Sequence, residues 1–110
     1  MIKENRDNWI VIADKMIDTN IGTIGLLINY SIKIHKENNI DLLRTYFLIK
    51  DFYNSNMTFT NKNISILLGY EEEIDYYITI YLALLEFFGL VVLDITYDGD
   101  EEIYQIVRVN

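Results

Sequence analysis

A mostly helical α+β fold, closed by a β-hairpin, is predicted by three observations. A long apolar segment with helical periodicity at 71–88 follows a short one that ends in Leu68-Gly69. Two alternating runs at 90–97 and 102–109 flank Asp98-Gly99, a dipeptide that favours a tight hairpin. Of the 110 residues 51% are hydrophobic, so one packed core is within reach. No linker, low-complexity tract or repeat divides the chain, which reads as a single domain over 1–110.

The elements follow in order. Residues 9–13, WIVIA, form a short β-prone run. Residues 21–36 carry two patterns at once. Ile24, Leu26, Ile28, Tyr30, Ile32 and Ile34 alternate as in a strand. Gly22, Gly25, Asn29, Lys33 and Lys36 instead recur at spacings of three and four, as one polar stripe of a helix. The length of the stripe and the stop at Asn38-Asn39 favour the helix. Asn39 caps a second helix from Ile40 to about Tyr53, with Asp41 in its first turn against the helix dipole. This helix is apolar nearly all round, which predicts burial on several sides. Met57-Thr58-Phe59 is read as a short strand. Thr60 or Asn61 then caps a short helix ending near Leu68, with Gly69 as its stop, and Gly89 closes the helix of 71–88.

Helix, short strand, short helix, glycine turn, longer helix and hairpin make a winged helix-turn-helix, with an extra N-terminal segment and the C-terminal hairpin as the wing. Residues 58–94, TFTNKNISILLGYEEEIDYYITIYLALLEFFGLVVLD, carry a short helix ending in Leu-Gly, an acidic helix start, and Leu-x-x-x-Gly-Leu-Val before the wing. On these features the chain resembles the winged-helix proteins of plasmids and phages of low-GC Gram-positive bacteria, over about residues 40–109. Residues 20–36, NIGTIGLLINYSIKIHK, are similar to the first helix of several of them. The resemblance implies a small DNA-binding accessory protein of replication, partition or conjugative transfer. Such a protein binds a short repeated site on double-stranded DNA and helps to recruit a larger protein.

The helix at 71–88 sits where such a fold reads bases, yet it carries no lysine or arginine. On a helical wheel Ile74, Ile78, Tyr81 and Leu85 form a core face, and Glu72, Asp75, Thr79 and Glu86 an acidic stripe. Tyr76, Ile80, Ala83 and Phe87 make a second apolar face that one core does not need. Residues 1–66 hold eight basic and seven acidic side chains, net +1, whereas residues 67–110 hold one and ten, net −9. Phosphates repel an acidic surface, so this helix is not expected to enter the major groove. Tyr76, Ile80, Ala83 and Phe87 are instead expected to pair two copies in a homodimer, the plainer alternative being cover by residues 1–36. DNA contact then falls to Asn29, Lys33, Lys36, Thr60, Asn61, Lys62 and Asn63, through side chains and a helix N-terminus.

Other chemistry finds little support. There is no cysteine, and His35 is the only histidine, so no metal site is expected. Glu71, Glu72 and Glu73 diverge by 100° each on a helix and suit its N-terminus better than a substrate. Gly22 and Gly25 lack the lysine of a phosphate loop. Ser31, Ser55 and Ser65 have no readable histidine partner. The expectation is a cytoplasmic protein that is not an enzyme, takes no cofactor and does not enter a membrane. One other function stays open. In it the acidic half faces a basic protein, as an interaction module or a DNA-mimicking inhibitor on the same scaffold.

Overall fold

The computed structural model describes residues 19–35, 40–70 and 75–110. Among them lie four helices, α1 (Ile21–His35), α2 (Asp41–Asn54), α3 (Asn61–Leu68) and α4 (Asp75–Phe87). An antiparallel hairpin of β1 (Val91–Asp98) and β2 (Glu101–Val109) follows them. The fold is therefore α+β and mostly helical. The run at 9–13, the Asn39 cap, Lys36 and the acidic residues 71–73 lie outside the described residues. None of the described helices is long and apolar enough to cross a membrane. The chain divides into two compact units, Met1–Phe47 and Leu48–Asn110, with the boundary inside α2.

In the first unit the two patterns resolve as helix over residues 21–35. Asn20 caps α1, its Oδ1 accepting from the Gly22 backbone N–H at 2.8 Å and from that of Thr23 at 3.4 Å. Leu27 and Ser31, four residues apart, are fully buried, while Gly25, Asn29 and Lys33 are exposed. A strand would have placed all five on one face. The buried serine has a partner. Its Oγ accepts the Leu42 backbone N–H at 3.1 Å, one of the first-turn donors that α2 cannot satisfy internally. Asp41 fixes the same turn: its carboxylate meets Arg44 Nη1 at 2.9 Å, and its carbonyl accepts from Thr45 Oγ1 at 2.7 Å. Replacing Ser31 by alanine removes an acceptor from a buried N–H, so we expect a loss of about 1–3 kcal/mol, read as a lower urea midpoint with unchanged slope.

In the second unit α2 ends in a turn at Asn56, whose φ is 55°. The strand expected over 57–59 is reduced to one bridge. Phe59 N–H donates to the Tyr104 carbonyl at 3.1 Å, and Tyr104 N–H returns the bond at 2.8 Å. The next residue ends the extended segment, because Thr60 already caps α3. Thr60 Oγ1 accepts from Asn63 N–H at 3.2 Å, and Asn63 Oδ1 accepts from Thr60 N–H at 2.9 Å. Gly69 closes α3 at φ 83°, donating to the Ile66 carbonyl, while Tyr70 N–H reaches back to Ser65. A methyl group added at Gly69 would meet open space, so only backbone strain opposes it. Gly69→Ala should therefore cost about 1–2 kcal/mol in thermal or urea unfolding.

Helix α4 buries Ile78, Tyr81, Leu82 and Leu85. The Tyr81 and Tyr70 hydroxyls are 2.9 Å apart, which satisfies the polar tip of a ring that is otherwise in the core. In the hairpin Val91 pairs with Val109, Leu93 with Ile106 and Ile95 with Tyr104. A bulge after Val92 leaves Val107 unopposed, so Tyr104 and Ile106 point inward while Val107 and Arg108 are exposed. The turn differs from the sequence reading by one residue. Asp98 is the last paired residue, opposite Glu101, and the loop is Gly99-Asp100. Gly99 has φ 64°, and Asp100 is not among the residues of positive φ. That is the hairpin turn with glycine first, which leaves an aspartate side chain out of the left-handed position.

Candidate functional site

The second unit brings part of the predicted contact set together with its opposite charge. Thr60, Asn61 and Lys62 at the start of α3, Thr79 on α4, and Asp100, Glu101 and Glu102 on the hairpin line an open cleft of about 600 Å³. Lys62 and Asn63 are exposed, and Thr60 and Asn61 are partly covered. The hydroxyl of Thr60 and the side-chain oxygen of Asn63 are engaged in capping α3, so sequence reasoning had given DNA two groups that the helix itself uses. Asn61 Nδ2 donates to Thr79 Oγ1 at 3.4 Å, whereas its Oδ1 is buried with no partner among the described residues. One lysine against three carboxylates gives the lining a net charge of −2, which favours a cationic group over a phosphate. The sequence marked residues 60–62 as contacts and the half from 67 to 110 as acidic but not their meeting here, because residues 60–62 and 100–102 are joined only by the tertiary fold.

Glu102 is held in place by the core. Tyr104, 5% exposed, donates its hydroxyl to Glu102 Oε2 at 3.2 Å. Burial first, then this hydrogen bond and the negative charge of Glu102, push the phenol from its usual 10.0 up to about 12. A raised value means that the folded chain retains this proton more strongly than the unfolded chain. The contribution is complete below pH 10.0 and is lost as the pH climbs to about 12. Urea midpoints should thus fall over that window, and Tyr104→Phe should flatten the decline.

The first unit holds the remaining predicted contacts. Asn29 and Lys33 are exposed on α1, and Lys33 Nζ lies 5.3 Å from the centre of the Tyr30 ring. Lys36 lies outside the described residues. Among the described residues no cluster of three metal-ligating side chains occurs.

The third predicted feature, the apolar row on α4, is open. Tyr76 is 71% exposed and Phe87 82%, Ala83 is exposed, and Ile80 is partly covered. Each end of the helix carries an edge-on aromatic pair, Tyr76 with Tyr77 at 5.6 Å and Phe87 with Phe88 at 5.8 Å. A second apolar patch escaped the sequence reading. Met57, Ile66 and Leu67 are each at least half exposed beside a groove of about 240 Å³. Its signal was the pairing of Ile64 with Leu68 on the inner face of α3, which turns Ile66 and Leu67 outward. No protein-family model, curated protein or solved structure matches the chain.

Proposed function

We propose that the chain is a dimeric winged-helix protein that binds DNA as a non-enzymatic accessory factor, with α4 pairing subunits instead of reading bases. The observation that carries this reading is the exposed row of Tyr76, Ala83 and Phe87 on a helix without a single basic residue. Helices α3 and α4, joined through the Gly69 turn and followed by a hairpin, supply the helix-turn-helix and wing. Lys33 with Asn29 on α1, and Lys62 at the start of α3, supply the phosphate contacts, Lys62 as the one cation against three carboxylates, and a dimer presents each twice. The reading also draws on the resemblance to plasmid and phage winged-helix proteins, which implies a repeated site at a transfer origin, a replication origin or a centromere. The test is an electrophoretic shift with DNA fragments flanking the gene, at two salt concentrations. A salt-sensitive shift confined to one fragment supports the proposal, and no shift on any fragment at low salt overturns it.

A second reading has its own observation in the cleft where Asp100, Glu101 and Glu102 face Lys62. Three carboxylates there fit a lysine or arginine side chain of a basic protein. Absence of any DNA shift, together with salt-sensitive binding of a lysine-rich peptide that Glu101→Lys abolishes, would favour it.

A further inference from the structure

The hairpin leaves one edge with unused backbone groups. Tyr104 exchanges both of its backbone hydrogen bonds with Phe59, so its N–H and C=O point away from β1. Tyr104 and Ile95 therefore face each other without mutual hydrogen bonds, and the N–H and C=O of Ile95 point away from β2. The alternation of an antiparallel ladder gives Leu93 and Tyr97 the same direction. Among the described residues no strand pairs with that side of β1. Nor does β1 carry a lysine or a proline, residues that commonly blunt an exposed edge.

Side chains along this edge sort by face. Leu93, Ile95 and Tyr97 share the face of Tyr104 and Ile106, yet Ile95 is 48% exposed and Tyr97 68%. Asp94, Thr96 and Asp98 occupy the opposite face, with Glu101 beside Asp98, and all four are exposed. We propose that β1 takes up an extended segment of a partner protein as a further strand, with apolar residues against Leu93, Ile95 and Tyr97 and lysine or arginine against Asp94 and Asp98. The free backbone groups hold the segment, and the alternation of its side chains fixes the register. Charge selects the occupant. An added strand from a second copy would put Asp94 and Asp98 of both chains on one face of the joined sheet, where like charges repel. A strand with cations at those positions sets opposite charges side by side. The site uses neither α4 nor Lys62, so it stands apart from the DNA-binding reading and gives the chain a separate surface for a protein.

The probe is a labelled peptide, Lys-Val-Thr-Val-Lys-Val, blocked at both ends. Laid antiparallel, it sets its valines against Leu93, Ile95 and Tyr97 and its lysines against Asp94 and Asp98. Two further peptides differ only in which backbone nitrogens are methylated. Methylation at the valines removes the N–H groups that face β1, and methylation at the lysines and threonine removes those that face away. Fluorescence anisotropy should show binding that weakens with salt, and about tenfold weaker binding of the valine-methylated peptide than of the other. Replacing both Asp94 and Asp98 by asparagine, at exposed positions, should weaken the unmethylated peptide by a similar factor. Amide exchange in the unaltered chain should slow at Leu93, Ile95 and Tyr97 when that peptide is added. Equal binding of the two methylated peptides reduces the contact to charge and overturns strand addition. So does protection that appears elsewhere while these amides stay fast. No binding of the unmethylated peptide at millimolar concentration and low salt overturns the site itself. Ile95→Pro deletes an edge donor without touching the ladder to β2. A dimer of unaltered chain that this variant disperses makes a second copy the occupant and overturns the cationic partner.

Discussion

Replacing Phe59 by alanine should remove about 3–5 kcal/mol of stability, the range for truncating a buried aromatic. Phe59 is 1% exposed and sits between two rings, Phe52 at 5.6 Å and 11° and Tyr104 at 5.2 Å and 16°. Its backbone also makes both hydrogen bonds that tie this segment to β2. The substitution leaves those bonds possible but removes the ring that keeps water from them. The Tyr104 phenol would lose a stacking neighbour and part of its burial, so the alkaline loss of stability should begin from a lower plateau. A small domain holds only about 5–15 kcal/mol, so the expected fall is a large part of the total. Chemical denaturation read by tyrosine fluorescence measures it. A midpoint shift worth less than about 1 kcal/mol would mean that the three-ring stack does not hold the hairpin.

The stack also marks where sequence reading stops. Periodicity identified the inner face of α4 and the stripe of α1, because both depend on positions three and four apart in one helix. The ends of α3 were legible for the same reason, with Thr60 as one of two candidate caps and Gly69 as the stop, whereas the return bond from Asn63 was not read. Phe59 drew attention only as one of three β-prone residues. Its bridge partner, Tyr104, is 45 positions away (104 − 59), and no local rule connects them. The hairpin turn was placed one residue early because Asp98-Gly99-Asp100 contains both loops: aspartate first needs positive φ at both residues, whereas glycine first needs it only at Gly99. The cleft is the most consequential case. Lys62 reads as a phosphate contact when only its own helix is considered. Three carboxylates from the hairpin then change the charge it sits in.

That altered setting gives the most informative expected result, a pair of salt dependences with opposite signs. If Lys33 and Lys62 each contact one phosphate, a dimer makes four such contacts, and the logarithm of affinity should fall with a slope near −3.6 against the logarithm of salt. Raising salt from about 50 to 200 mM would then weaken DNA binding roughly 150-fold, while self-association through α4 strengthens over the same range. Lys62→Glu removes two of the four contacts and should lower the slope by about 2. It also turns the cleft lining from −2 to −4, which adds repulsion at low salt beyond the lost contacts. Glu101→Lys should act the other way, tightening DNA at low salt and steepening the slope, because it brings a cation to the same cleft. Fluorescence anisotropy on one DNA fragment gives both slopes. A Lys62→Glu protein with unaltered affinity and slope would remove the start of α3 from the DNA contact. An affinity that Glu101→Lys leaves unchanged at low salt would show that the phosphates do not approach the hairpin. The two results together separate a cleft that faces DNA from one whose carboxylates face a cationic partner.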